Sequence, residues 1–168
     1  MLNSAPNNPK YHQGVYYPKN LDKVVKLNAL GGLYYRSSLE KKMMVYLDLN
    51  DRIRAWGAEH LKIPYSKTEY HRESQSLRTT EHIYYPDFYY EMVRDDGTIS
   101  RVVAEVKPHS ETVEPRLASS PSSKQLKNFE YALKMWNKNL SKWQHMIEWC
   151  GRKDMEFVII TEKLLGGG

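Results

Sequence analysis

The sequence predicts an α/β domain, a mixed sheet flanked by helices and preceded by an extended N-terminal arm. Three observations carry this: a hairpin pattern in the middle of the chain, a long amphipathic helix after it, and a closing apolar strand, FVIIT, at Phe157 to Thr161. The 168 residues are 40% apolar and 27% charged, enough for one core and unlike a disordered chain.

The elements follow in order. Residues 1 to 33 hold the breakers Asn8-Pro9, Tyr17-Pro18 and Gly31-Gly32 and show no sustained period, so they are expected to form an arm, with residues 34 to 168 as the folded domain. From Ser37, Leu39, Met43, Tyr46 and Leu47 recur at helical spacing, and Ser37 with Glu40 has the form of a capping box, so a helix should run toward Asn50. A strand is expected near Ala58 to Tyr65. Tyr84 to Val93 and Thr98 to Lys107 form the hairpin, with Asp95-Asp96-Gly97 as turn chemistry between them. In its second strand Val103, Glu105 and Lys107 share one face, and Val102, Ala104 and Val106 the other. Ser110 to Ser123 is a Ser/Pro-rich loop. Leu126, Phe129, Leu133, Trp136, Leu140, Trp143, Ile147 and Cys150 alternate by three and four, the core-facing stripe of a long helix with an interruption allowed near Asn137 to Asn139.

Composition narrows the function classes. A single cysteine, Cys150, excludes an internal disulfide and a cysteine-built zinc site, and the first residues carry no apolar h-region, so the cytoplasm is the expected compartment. No run is long and apolar enough to span a membrane, and no nucleotide-cofactor motif stands out. The net charge of +5 is unevenly placed: residues 43 to 123 are acidic on balance and both flanks basic. That pattern suits cations held centrally and a polyanion around the rim, and suits equally a solubilising surface.

Four residues stand out by position: Glu40 early in the first helix, Asp87 after Pro86, and Glu105 and Lys107 two apart on one strand. Carboxylates converging at a sheet edge suit Mg²⁺, which takes oxygen ligands and keeps several waters. A nearby ammonium can then position the attacking water at a phosphate. Each residue also has a plainer role: Glu40 as the capping partner of Ser37, Asp87 as a solvated acid, and Glu105 with Lys107 as a surface ion pair. The apolar neighbours of Glu105 argue for a buried strand, where charges need compensation.

A helical Glu, then Pro-Asp, then Glu-x-Lys-Pro resembles the PD-(D/E)xK nuclease superfamily, in its branch of TnsA-like transposase nucleases and head completion nucleases of contractile-tailed phages. The resemblance covers most of the chain, in QGVYYPKN (Gln13 to Asn20), YYRSSLE (Tyr34 to Glu40), YYPDFYY (Tyr84 to Tyr90), AEVKP (Ala104 to Pro108) and FVIITEKLL (Phe157 to Leu165). It implies a Mg²⁺-dependent DNA endonuclease, with Mn²⁺ able to substitute, that trims or cleaves DNA at the phage portal before head–tail joining. Asp87, Glu105 and the Val106 backbone carbonyl would hold the metal with support from Glu40, and Lys107 would be the catalytic lysine. The expected partners are double-stranded DNA and portal, connector or neck proteins, with virion association a further expectation.

Lys127, Lys134, Lys138 and Lys142 form a stripe on the last helix that suits either solvent or phosphates, and with His109 they are the candidate DNA contacts. Tyr16, Tyr17 and Pro18 are expected to dock the arm on a partner. A non-catalytic connector-docking protein and a transposase-type site-specific endonuclease are the rival functions. The absence of a helix-turn-helix or finger motif favours low sequence specificity.

Overall fold

The computed structural model describes residues 12–166. The predicted hairpin is the centre of the molecule: β6 (Phe88–Val93) and β7 (Ile99–Val106) pair antiparallel, Phe88 opposite Ala104 and Val93 opposite Ile99. Its turn closes through Arg94 N–H to Thr98 O at 2.8 Å and Gly97 N–H to Arg94 O at 2.9 Å, with Gly97 at φ +81, where a side chain would be strained. On one flank β3 (Ile53–Ala58) pairs antiparallel with β6, and on the other β8 (Glu156–Ile160) pairs parallel with β7, giving the order β3-β6-β7-β8. The β7-to-β8 connection contains a helix, as a parallel pair requires.

The faces of β7 divide as its alternation predicts. Val102, Ala104 and Val106 pack with Met43, Met44 and Leu47 of α1 (Ser38–Leu49), together with Trp56 and Phe88. Val103 packs on the opposite face with Met146 and Cys150 of α2 (Ser123–Arg152), and with Ile63 and Tyr84. Burial pushes the Cys150 thiol up to about 11, which leaves it an inert core residue. Ser37 caps α1, its hydroxyl accepting the Glu40 N–H at 3.1 Å, and Ser122 with Gln125 forms a capping box on α2.

The structure departs from the sequence expectations in three places. The segment expected as an arm is, over residues 12–33, part of the domain: β1 (Gly14–Tyr16) pairs with β2 (Leu33–Tyr35), and the Tyr16 hydroxyl donates to buried Asp48 at 2.6 Å. Pro18 is buried and Tyr16 half-buried with its hydroxyl engaged by Asp48, so both serve the packing of the domain, while Tyr17, 60% exposed, stays on the surface. The low periodicity that suggests an arm reflects a segment fastened by hydrogen bonds and by irregularly spaced apolar residues, Leu33, Val24 and Leu27 among them, rather than by a periodic stripe. Residues 1–11, also assigned to the arm, lie outside the described residues.

Secondly, the strand expected at 58–65 is two strand ends, of β3 and of β4 (Ile63–His71), which pairs with β5 (Ser76–Tyr84) in a separate two-stranded hairpin. Tyr84 thus ends β5 instead of opening the central hairpin. β5 is solvent-exposed up to its last residue, so it lacks the apolar alternation that reveals a half-buried strand. Thirdly, α2 is continuous across Asn137 to Asn139, and only the C-terminal part of its stripe is core. Trp143, Met146 and Cys150 are buried, whereas Leu126, Leu140 and Ile147 are exposed.

Candidate active site

β5 ends at Tyr84 and β6 begins at Phe88, so Tyr85-Pro86-Asp87 carries the chain from the small hairpin into the central sheet. Buried Pro86 fixes this crossing, and the Asp87 carbonyl accepts the Glu59 N–H at 3.0 Å. The Asp87 carboxylate thereby reaches β7, where Oδ2 accepts the Val106 N–H at 2.7 Å. Val106 lies beyond Ala104, the last β7 residue paired with β6, so that N–H has no strand partner and takes the side chain instead. The N–H and C=O of one strand residue point to the same edge, which opens the Val106 carbonyl beside Asp87.

Glu105, 3% exposed, points to the α2 side. The Tyr84 hydroxyl donates to its Oε2. Lys107 Nζ stands 3.3 Å from its Oε1 and Lys142 Nζ 3.7 Å from the same oxygen, the latter also 4.0 Å from the centre of the Tyr84 ring. β7, β5 and α2 thus bring one carboxylate, one phenol and two ammonium groups together.

The electrostatics agree with this picture. Burial, then the charge of Glu105, pushes Asp87 up to about 7, against the pull of the Val106 N–H and of Lys107. Burial pulls Lys107 down, but Glu105 and Asp87 outweigh it and the ammonium is held above its ordinary value. Lys142 is shifted the other way, its burial only partly offset by Glu105. Burial and Glu105 raise Tyr84 far above an ordinary phenol, so it remains a donor.

Among the described residues no three His, Cys, Asp or Glu side chains gather as a metal cage. The Asp87 and Glu105 carboxylates and the Val106 carbonyl are hard oxygens, the donor type that would suit Mg²⁺. The raised Asp87 reflects its burial first and the charge of Glu105 second.

Asp87 also makes stability pH-dependent. Its folded-state value lies above that of the unfolded chain, so the folded protein binds the extra proton and loses stability as pH rises from about 4 toward 7. In EDTA, urea unfolding at pH 5 and pH 8 is expected to show this loss in the parent. Asp87→Asn, which keeps an acceptor for Val106, is expected to flatten it; an equal loss in both proteins would assign the effect to another group.

Glu40 stands apart from the central pair. Its oxygens accept the Arg36 N–H at 2.8 Å and the Ser37 hydroxyl at 3.1 Å, so it is engaged in starting α1, and it acts on Asp87 through charge. Lys134, Lys138 and Lys142 line one cleft beside α2, whereas Lys127 is exposed nearer the start of the helix. His109 follows Pro108 and donates its N–H to Glu162 at 2.8 Å. Sequence reasoning missed two contacts of Glu105. Tyr84 was visible only as a strand residue, and Lys142 only as one lysine of a stripe, although its place beside buried Trp143 marks the end of the helix that meets the sheet.

A central antiparallel hairpin, a parallel fourth strand reached through a helix, and an acid–acid–lysine set at the end of the hairpin define a nuclease-type domain. Residues 50–162 match the TnsA-like endonuclease N-terminal family, and the chain belongs to that family and has its PD-(D/E)xK-type fold. The match contains Asp87, Glu105, Lys107 and Lys142, while Glu40 precedes it. Over 151 residues, covering 90% of this chain and 91% of the relative, the chain is 28% identical to the head completion nuclease of Enterobacteria phage T4.

Proposed function

We propose that this protein is a Mg²⁺-dependent DNA endonuclease that acts in phage head completion, trimming double-stranded DNA at the portal before head and tail join. The observation that carries the chemistry is buried Glu105 with Lys107 3.3 Å from it and Asp87 bound to the next backbone N–H. The setting comes from similarity to the T4 head completion nuclease along nearly the whole chain.

Asp87, Glu105 and the Val106 carbonyl would hold Mg²⁺, which supplies Lewis acidity and charge neutralisation at a phosphate. Lys107 orients the attacking water and meets charge developing on the phosphate. Tyr84 holds Glu105 in place through its hydroxyl. Lys134, Lys138 and Lys142, with Lys127 and His109 further out, bind phosphates without reading bases. No helix-turn-helix is present among the described residues, in keeping with low sequence specificity. A purely docking role is disfavoured because burying two carboxylates and two lysines is costly unless they are used.

DNA-filled, tailless heads with protruding DNA test the setting. Incubated with the protein and Mg²⁺, they are expected to lose the protruding segment and to accept tails. Lys107→Ala should leave the segment in place, and tail joining by Lys107→Ala at the parental level would overturn the nuclease role in head completion.

A further inference from the structure

A cleft of about 760 Å³ lies between residues 65–69 of β4 and the facing side of α2. Lys67, Lys134, Lys138 and Lys142 line it against Glu69 and Glu148. Lys67 engages Glu69 at 2.5 Å, and neither Lys134 nor Lys138 is in an ion pair among the described residues, so the helix wall is cationic.

Aromatic rings are interleaved with these charges. Tyr65 stacks on His82 with ring centres 5.3 Å apart and lies 5.9 Å from the His145 ring, while Tyr131, on the helix wall, is 68% exposed. Nε2 of His145, which also lines the cleft, is buried with no hydrogen-bond partner among the described residues. A merely solvated face would not need rings set among its charges. Lysines tracking a backbone beside rings that accept bases is the composition of a single-strand site. The volume, in the range of ligand pockets, is room for a few nucleotides of one strand. Lys142 connects the cleft to Glu105, 3.7 Å away.

From this we infer that the cleft between β4 and α2 seats a single-stranded stretch of DNA beside the scissile phosphate, so that the preferred substrate is a duplex with an unpaired extension. The inference rests on the endonuclease reading and adds the form of DNA that the site takes.

The test uses the full-length protein in EDTA with a fluorescent oligodeoxythymidylate, and compares the parent with Tyr131→Ala and with the double variant Lys134→Ala/Lys138→Ala. All three positions are exposed on α2, and circular dichroism confirms that the variants fold. Tyr131→Ala is expected to weaken binding about tenfold, the loss of one base stacked on an aromatic ring. The lysine variant should flatten the log–log salt slope by about 0.7 per lost single-strand phosphate contact. With Mg²⁺ restored, the parent should cut a duplex bearing an extension faster than a blunt one.

Unchanged oligodeoxythymidylate affinity in both variants, or equal cutting of blunt and extended duplexes, overturns the inference. The endonuclease reading then still stands if cleavage requires Glu105. Conversely, cleft-dependent strand binding with no cleavage of any DNA would sink the endonuclease reading and leave the single-strand site in place.

Discussion

Glu105→Gln is expected to lose both Mg²⁺ binding and DNA cleavage, whereas Lys107→Ala is expected to lose cleavage and keep the metal. The glutamine preserves the shape of the side chain and an acceptor for the Tyr84 hydroxyl but removes the charge that attracts a cation. Lys107 lies 3.3 Å from Glu105, and its removal takes a positive charge away from the metal position, so affinity should hold or rise. The cleavage rate of Lys107→Ala should fall by roughly 10²- to 10³-fold, the scale of losing one charged donor at a reacting centre. Lys142, 3.7 Å from the same oxygen, is the second ammonium at Glu105, and Lys107→Ala/Lys142→Ala is expected to lower cleavage further. Titration calorimetry with Mg²⁺ or Mn²⁺ separates the two roles. If Lys107→Ala binds metal as poorly as Glu105→Gln, lysine and carboxylate are not divided as assigned.

Asp48→Ala is expected to destabilise the domain by about 3–5 kcal/mol, because it strips the acceptor from several part-buried donors at once. The Asp48 carboxylate, fully buried, accepts the Tyr16 hydroxyl at 2.6 Å, the Lys19 N–H at 2.8 Å and the Asn20 N–H at 2.9 Å. These bonds clamp residues 16–20 to the end of α1. Burial alone would raise Asp48, but the hydrogen bonds outweigh it and hold its carboxyl below the usual range. The clamp is therefore fully present at neutral pH and weakens only as acid protonates the folded carboxylate. Thermal melting should fall by about 10 °C at this chain length. Asp48→Asn, which keeps one acceptor oxygen, should lose less. A melting point within 2 °C of the parent for Asp48→Ala would mean that the segment is not held as described.

The parts of this molecule legible in its sequence are those governed by apolar periodicity. The β6–β7 hairpin and its turn, the capped helix α1, the C-terminal end of α2 and the strand β8 are all as their patterns predict, and β7 splits its residues between two faces by simple alternation. The β4–β5 hairpin was illegible because nearly all of β5 faces water, leaving its strand propensity without an apolar face to display it. The segment 12–33 shows no apolar period for a related reason: one buried aspartate, distant in sequence, supplies much of what fastens it. At the site, Glu105 and Lys107 were legible because a single strand carries both. Lys142 and Tyr84 reach Glu105 from α2 and β5, and no local spacing encodes such convergence.

The central claim, that Glu105 anchors a metal-dependent nuclease centre, is tested most directly by plasmid cleavage. With Mg²⁺ the parent protein is expected to convert supercoiled plasmid to nicked and linear forms, and EDTA or Glu105→Gln is expected to stop it. Cleavage that persists in EDTA, or at the parental rate in Glu105→Gln, would contradict the account.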